Sequence, residues 1–264
     1  MTGFIPGRFQ GAVAIVTGGG SGIGAAVASR LGAEGAAAII VADLDPSGAR
    51  GVAERVANGT AALLDVTDPD AVNACFDGVA AEHGGLDLVV NTAGLDDPAA
   101  AEEMSRAMRE GEPADVLRGL SDDRWRRIMA VNLDGTFHVL RAAARIMVPA
   151  RRGTIVTVGS SSAFAATPGL AHYVAAKAGA HALAQSAAKE LARFGVRLNV
   201  VAPGPVDTPM AGRKPAELRA QIRATAAGYA TAEQIADNIL YLASPGSSNV
   251  VGQILLSSGG RPAG

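Results

Sequence analysis

The chain has 264 residues, 48% of them hydrophobic and only 4% aromatic, which supplies apolar material for one large α/β domain. A formal net charge of -2 removes the electrostatic signature of a nucleic-acid or anionic-membrane binder; the one basic cluster, Arg124, Arg126 and Arg127, adjoins Asp122 and Asp123 and reads as a solvated helix face. A single cysteine, Cys75, excludes an internal disulfide or a cysteine metal cluster and, beside Val72, Phe76 and Val79, reads as a buried core thiol.

Short apolar runs alternate with helical patterns along the chain. AVAIVTG at 12–18 reads as a buried strand, followed by a helix over 22–34. AAIIVAD at 37–43 is a second strand, before a helix opening at Pro46, and AALLDV at 61–66 a third, before a helix over 69–83. LDLVVN at 86–91, TIVTVGS at 154–160, VRLNVVAP at 196–203 and VVGQILLS at 250–257 complete the set, with helices over 172–194 and 231–243 between the last three. Continuous rather than alternating apolar character predicts strands covered on both faces. The expected fold is therefore α/β: a single doubly wound, Rossmann-type parallel sheet of seven strands with helices on both faces, spanning 1–264 as one domain.

Two segments stand outside this rhythm. Residues 95–120 form an unusually long connection with a helical stretch and a Gly-Glu-Pro turn, ahead of a Ser121-Asp122-Asp123 helix start. Residues 207–230 contain PAELRAQIRATAAG, a helical, lid-like stretch suited to gating. No apolar run approaches the ~18 residues of a membrane span, and MTGFIPGRFQG lacks the apolar core of a secretory signal, so a soluble cytoplasmic protein is expected.

TGGGSGIG at 17–24 lies between the first strand and the first helix. Gly18, Gly22 and Gly24 permit a tight turn and close backbone approach to a pyrophosphate, and the helix N-terminus offers it unpaired N–H groups. Asp43 ends the second strand about 20 residues further on, where a carboxylate accepts from a ribose 2′-OH and repels a 2′-phosphate; NAD is the expected cofactor. Asp43 also serves as a turn or helix cap, which is compatible with that role.

The stretch SSSAFAATPGLAHYVAAK places Tyr173 and Lys177 four residues apart, behind a serine cluster. By themselves they are equally an exposed helical pair. Together TGGGSGIG at 17–24, NTAG at 91–94, VNLDG at 131–135, YVAAK at 173–177 and PGPVDTPM at 203–210 resemble the short-chain dehydrogenase/reductase family, in its order and spacing, from about 11 to 260. The resemblance implies that Tyr173 is the acid/base, Lys177 its electrostatic partner and Asn132 the holder of a relay water. It places the serine 13 residues before the tyrosine, at Ser160 rather than Ser161 or Ser162.

It further implies cofactor contacts from Ser21 and Ile23 in the loop, Asp65 and Val66 near the adenine, and Asn91, Ala93 and Gly94 along the ribose. Pro203, Gly204, Val206 and Thr208 fall around the nicotinamide, and Tyr173 and Lys177 touch the cofactor too. Asn91 is equally readable as a strand-end cap, Thr208 as a turn residue, and His172 as a pocket-lining neighbour of Tyr173. A lysine ammonium at i+4 favours the phenolate and lowers the tyrosine's pKa, and Ser160 donates to the substrate oxygen.

The departures are NTAG for the commoner NNAG, Gly159 where a serine often precedes Ser160, and SSGG at 257–260 for Val-Asp-Gly-Gly. The expected function is NAD(H)-dependent interconversion of a secondary alcohol and a ketone, on a small-molecule substrate that is apolar, hydroxyacyl or steroid-like. The expected assembly is a homotetramer, and the competing reading is an NAD-binding sensor or scaffold without turnover.

Overall fold

The computed structural model describes residues 4–261. The strands are β1 (Val13–Thr17), β2 (Ala38–Asp43), β3 (Gly59–Leu63), β4 (Leu88–Asn91), β5 (Gly153–Val158), β6 (Val196–Pro203), β7 (Val206–Asp207), β8 (Ala230–Thr231) and β9 (Ile254–Ser257). Seven of them form one parallel sheet in the order β3-β2-β1-β4-β5-β6-β9, while β7 and β8 pair separately. The helices are α1 (Gly22–Ala33), α2 (Pro46–Ala53), α3 (Pro69–His83), α4 (Pro98–Glu110), α5 (Val116–Gly119) and α6 (Asp122–Met129). They continue with α7 (Gly135–Ala150), α8 (Ser162–Ala165), α9 (Ala171–Leu191), α10 (Pro209–Gly212), α11 (Ala216–Ala224) and α12 (Ala232–Ala243). This is the Rossmann-type α/β arrangement expected from the apolar runs.

Successive strand residues point to opposite faces, so each run feeds two cores. Val13, Ile15, Ile40, Ala42 and Val89 pack with Phe76 of α3, Val139 and Met147 of α7 and Ala184 of α9. Ala14, Val16, Ile39, Val41 and Val90 pack with Leu31 of α1, Val52 of α2 and Ile239 of α12. Both-sided coverage fails at the edges. The third strand is β3 at 59–63 rather than 61–66, and its Leu63 is 68% exposed. It borders only β2, so one strand edge faces away from the sheet; the buried apolar residues, Leu64 and Val66, follow the strand and enter the core as the chain turns. The last strand, shortened to 254–257, is half-buried throughout. Cys75 is likewise only partly buried against the α3 side of the core, and its burial pushes the thiol's pKa up.

The strand order reverses at β1, between β2 and β4, and ligands of such sheets bind at the carboxyl ends beside this point. Helix starts differ there in a consistent way. The helices after β2, β3 and β4 are capped by Asp45, Asp68 and Asp97, each followed by a proline in the first turn. Helix α1, after β1, begins at Ser21 with no side-chain cap, leaving its first N–H groups to an outside acceptor. Among the described residues no helix is long and apolar enough to cross a membrane.

Candidate active site

At the phosphate end, Gly18 and Gly22 have φ of 67° and 50°, in the left-handed region that favours glycine. Packing forbids a side chain as well: a Cβ on Gly18 would lie 2.7 Å from Ala93 N, and one on Gly24 would run into the Gly18 carbonyl. Thr92 pins the loop to β4 by donating to Thr17 O at 2.7 Å, so the threonine of NTAG has a structural use. Thr208 stands over the loop, 3.1 Å from where a Gly22 Cβ would be, which brings the 203–208 segment across the helix start.

Asp43 is anchored at the rim of this loop. Its Oδ2 accepts the Gly20 N–H at 2.9 Å and its Oδ1 the Asp45 N–H at 3.0 Å. The turn role is therefore filled, and each carboxylate oxygen keeps a further lone pair. Asp65 closes the turn after β3 by accepting from Thr67 N and Oγ1 at 2.8 and 2.7 Å, and the adjoining Val66 is buried where Gly135 leaves space.

Asn91 differs from the ribose-contact expectation. It is 3% exposed, accepts from Thr17 Oγ1 at 2.6 Å, and donates to Thr136 and Thr157 Oγ1 at 3.3 and 3.2 Å. Its side chain ties β1, β4, β5 and α7 together, so the strand-end reading accounts for it and only its backbone is left for a cofactor.

At the reacting end, Ser160 leaves β5 and Tyr173 and Lys177 lie on one face of α9. Gly94 sits between the groups: a Cβ there would be 3.1 Å from Asn132 Oδ1 and 3.5 Å from Lys177 Nζ. Ser160 Oγ accepts the Ser162 N–H at 3.2 Å, and its hydroxyl is hydrogen-bonded to the Tyr173 phenol. The Ser161 N–H donates to Pro203 O at 2.8 Å, joining this loop to the 203–208 segment.

Asn132 lies in a π-helical turn, Ala130–Asp134, inserted between α6 and α7, a distortion that recurs at functional sites. It is fully buried, and its amide accepts from Leu95 N at 3.2 Å and donates to Leu95 O at 2.9 Å. The side chain thus fixes the exit of β4 rather than reaching open space.

The electrostatics depart from the i+4 argument. Burial pushes the Tyr173 phenol up, a hydrogen bond with Ser160 works against it, and the Asp96 carboxylate pushes it up further. Burial lowers Lys177 to about 8. The ammonium donates to Val158 O at 3.0 Å and lies 5.9 Å from the Tyr173 ring centre, so it does not pull the phenol down in the protein alone.

The 95–120 segment forms α4 and α5 and is wired to α9. Asp97, which caps α4, meets His172 Nε2 at 2.8 Å and Arg124 Nη2 at 2.7 Å. Burial alone would raise its carboxyl, but hydrogen bonds from Arg124 and His172 hold it below the usual carboxylate range. This corrects the solvated-face reading of Arg124, whose other partner is Glu103 at 2.8 Å; Arg126 and Arg127 are exposed as expected, Arg126 pairing with exposed Asp122 and Asp123. His172 is fully buried and holds the insertion, rather than lining a pocket as a free side chain. Helix α11 rests on α4 through Glu217 to Ser105 at 3.1 Å and Gln221 to Met108 Sδ at 3.0 Å, and Arg213 meets Asp96 at 2.8 Å. Between these parts lies a cleft of about 360 Å³ lined by Leu95, Asp96, Pro98, Ile128, Arg127 and Arg213 among others. Sequence reasoning missed Asp96, Asp97 and Arg261; only the Asp-Pro pair at 97–98 signalled a cap.

The short chain dehydrogenase family model matches residues 12–219. The chain belongs to that family. It is 35% identical over 255 residues to 3-oxoacyl-[acyl-carrier-protein] reductase FabG of Salmonella typhimurium, covering 96% of this chain and 98% of that one. It is 40% identical over 261 residues to cis-4-hydroxycyclohexanecarboxylate dehydrogenase of Sinomonas cyclohexanicum, covering 97% and 98%. The crystal structure of gox2181 superposes with a TM-score of 0.83 at 30% identity, covering 96% of each chain. As a short chain dehydrogenase the protein is an oxidoreductase that uses a nicotinamide cofactor.

The SSGG ending of this short chain dehydrogenase has its own substitute contacts. Ser257 Oγ accepts from Asn238 at 2.9 Å, and Arg261 reaches Thr225 Oγ1 at 2.7 Å and the Gly228 carbonyl. The C-terminal segment thereby anchors the far end of the 207–230 loop.

Proposed function

We propose that this protein is an NAD(H)-dependent oxidoreductase interconverting a secondary alcohol and a ketone. The observation that carries the reading is a chain of contacts at the carboxyl ends of β4 and β5: Ser160 is hydrogen-bonded to Tyr173, Lys177 lies 5.9 Å from the Tyr173 ring centre, and Lys177 and Asn132 both border Gly94. The residues present fit a dinucleotide: the glycines of the Gly18–Gly24 loop have no room for side chains, α1 lacks a side-chain cap, and Asp43 stands at the rim. A bound nicotinamide supplies the hydride acceptor or donor. Tyr173 moves the alcohol proton, Ser160 donates to the substrate oxygen as charge develops, and Lys177 holds positive charge beside both. A phenol pushed up in pKa is poised as a proton donor, the chemistry of ketone reduction.

For the substrate, the apolar walls Leu95, Pro98 and Ile128 beside Arg127 suit an alicyclic hydroxy acid, and the 40% identical relative acts on one by its name. A 3-oxoacyl thioester, the substrate class named for FabG, is the second choice for assay. Exposed Trp125 and Phe137 on α6 and α7 favour burial against further copies, in keeping with a homotetramer. The test is a panel of alcohols and ketones with NAD and NADP, read by absorbance of the reduced nicotinamide. Turnover that prefers NAD and falls by about 10²–10⁴ in Tyr173→Phe supports the reading. Cofactor binding with no turnover of any panel member by the wild type overturns it in favour of a sensor.

A further inference from the structure

His181 lies one turn beyond Lys177 on α9, so Tyr173, Lys177 and His181 follow one another at four-residue intervals along one helix face. The imidazole is 5% exposed, and its Nε2 receives the backbone N–H of Ser160 at 3.3 Å. A backbone amide only donates, so Nε2 is unprotonated and the neutral ring carries its proton on Nδ1. The ring is enclosed by Phe164 of α8, at 5.3 Å between ring centres, by Gly159 at the exit of β5, and by the side of β6 at Val200. The charged group acting on it is Lys177 of its own helix; burial and that ammonium lower His181 to about 4.

Gly159 has a matching peculiarity. A Cβ at this position would overlap His181 Nε2 and lie 2.9 Å from Val200 Cγ1. The glycine that stands where a serine often precedes Ser160 is therefore a steric requirement of the imidazole.

We propose that neutral His181 is a positioning residue for Ser160, and that Gly159 and His181 form an interdependent pair: the ring fills the volume a residue-159 side chain would take and supplies the acceptor that fixes the Ser160 peptide. The proposal rests on the reading of Ser160 as the donor to the substrate oxygen. His181 touches neither substrate nor cofactor; it acts by setting where the Ser160 hydroxyl begins.

Two readouts on the full-length, NAD-loaded protein separate this proposal from the reaction itself. In protein carrying ¹⁵N-histidine, the His181 signals should show Nδ1 protonated and Nε2 bare at neutral pH, and hydrogen exchange at the Ser160 amide should quicken in His181→Phe. In turnover of cis-4-hydroxycyclohexanecarboxylate, His181→Phe should lower kcat by about 10²-fold with NAD affinity kept, as for an ångström-scale misplacement, and His181→Gln, which retains an acceptor, should restore most of it. Gly159→Ala attacks the same contact from the other side and should lower kcat likewise, which keeps the test open if the phenylalanine variant does not fold. A protonated Nε2, or Ser160 exchange unchanged in His181→Phe, overturns the pairing. Faster exchange with wild-type kcat in His181→Phe, in Gly159→Ala, or a glutamine variant no better than phenylalanine, overturns the positioning role. Failure of the wild type to turn over the probe counts against the proposed reaction, while the spectroscopic arm still judges the contact.

Discussion

Replacing Asp43 by asparagine tests the cofactor preference through one atom. The carboxylate accepts Gly20 N–H at 2.9 Å through one oxygen and Asp45 N–H at 3.0 Å through the other. An amide satisfies one of these donors and points its NH₂ at the other, so the rim of the phosphate loop loosens as the charge is lost. Hydrogen bonds to a charged acceptor contribute about 1.5–3 kcal/mol, so losing that assistance at the ribose weakens NAD binding by about 10–100-fold. For NADP the larger effect has the opposite sign. A carboxylate about 5 Å from a 2′-phosphate, at an effective dielectric of about 20, is repelled by ~3 kcal/mol per phosphate charge. Calorimetric titration of both cofactors into both proteins reads the two effects at once. The wild type should favour NAD by about 10² or more, and Asp43→Asn should bring the ratio towards unity. A wild type that prefers NADP, or a ratio the substitution leaves unchanged, refutes the reasoning.

Four further outcomes follow from the same geometry. Asn91→Ala removes the bonds to Thr17 and Thr157 on the strands and to Thr136 on α7 and should cost about 3 kcal/mol, seen by calorimetry as a Tm lower by about 6–12 °C; a shift under about 2 °C contradicts the cross-link. Lys177→Met should abolish turnover without loss of stability, since lowering the ammonium from 10.5 to about 8 corresponds to about 3 kcal/mol of burial cost. That cost is present below pH 8 and lifts as pH rises towards 10.5, so urea unfolding of the wild type should show the rise and the variant a flat profile. His181, lowered from 6.5 to about 4, contributes a loss of up to about 3 kcal/mol as pH falls through that window and none further below it; His181→Phe should remove this slope. Asp97→Asn keeps the α4 cap but removes the charge facing Arg124 and His172, so hydrogen exchange over 95–120 should quicken while NAD affinity stays; unchanged exchange would sink the anchoring role.

What was legible in the sequence was carried by short-range pattern. The apolar runs of β1, β2 and β4 announced themselves because each feeds two cores, and the loop at 17–24 because strand, glycines and helix are contiguous. Tyr173 and Lys177 were found by a spacing inside one helix. The edge strands were misplaced because composition does not say which strand lacks a neighbour, as Leu63 shows. Arg124 was misjudged because its sequence neighbours, Asp122 and Asp123, are not its partners; Asp97 is 27 residues away. His172 reaches Asp97 across 75 residues and Ser160 reaches His181 across 21, distances over which no periodicity speaks. Asn91 was read for its position in a motif, whereas its three threonine partners come from β1, β5 and α7, which only the assembled sheet brings together.

The way α11 rests on α4 has a consequence for how fast a turnover cycle can finish. No residue of α11 is buried, and its fastenings on α4 are polar contacts such as Arg109 to Glu217 at 3.6 Å and Gln221 to Met108 Sδ at 3.0 Å. Water and salt can replace such contacts one at a time, and peeling the helix away uncovers little oil-like surface. The α11 side of the cleft is therefore weakly held, whereas the Asp97–His172 junction ties the other side to α9. Departure of product should accordingly quicken with ionic strength, even where the bond-making step does not.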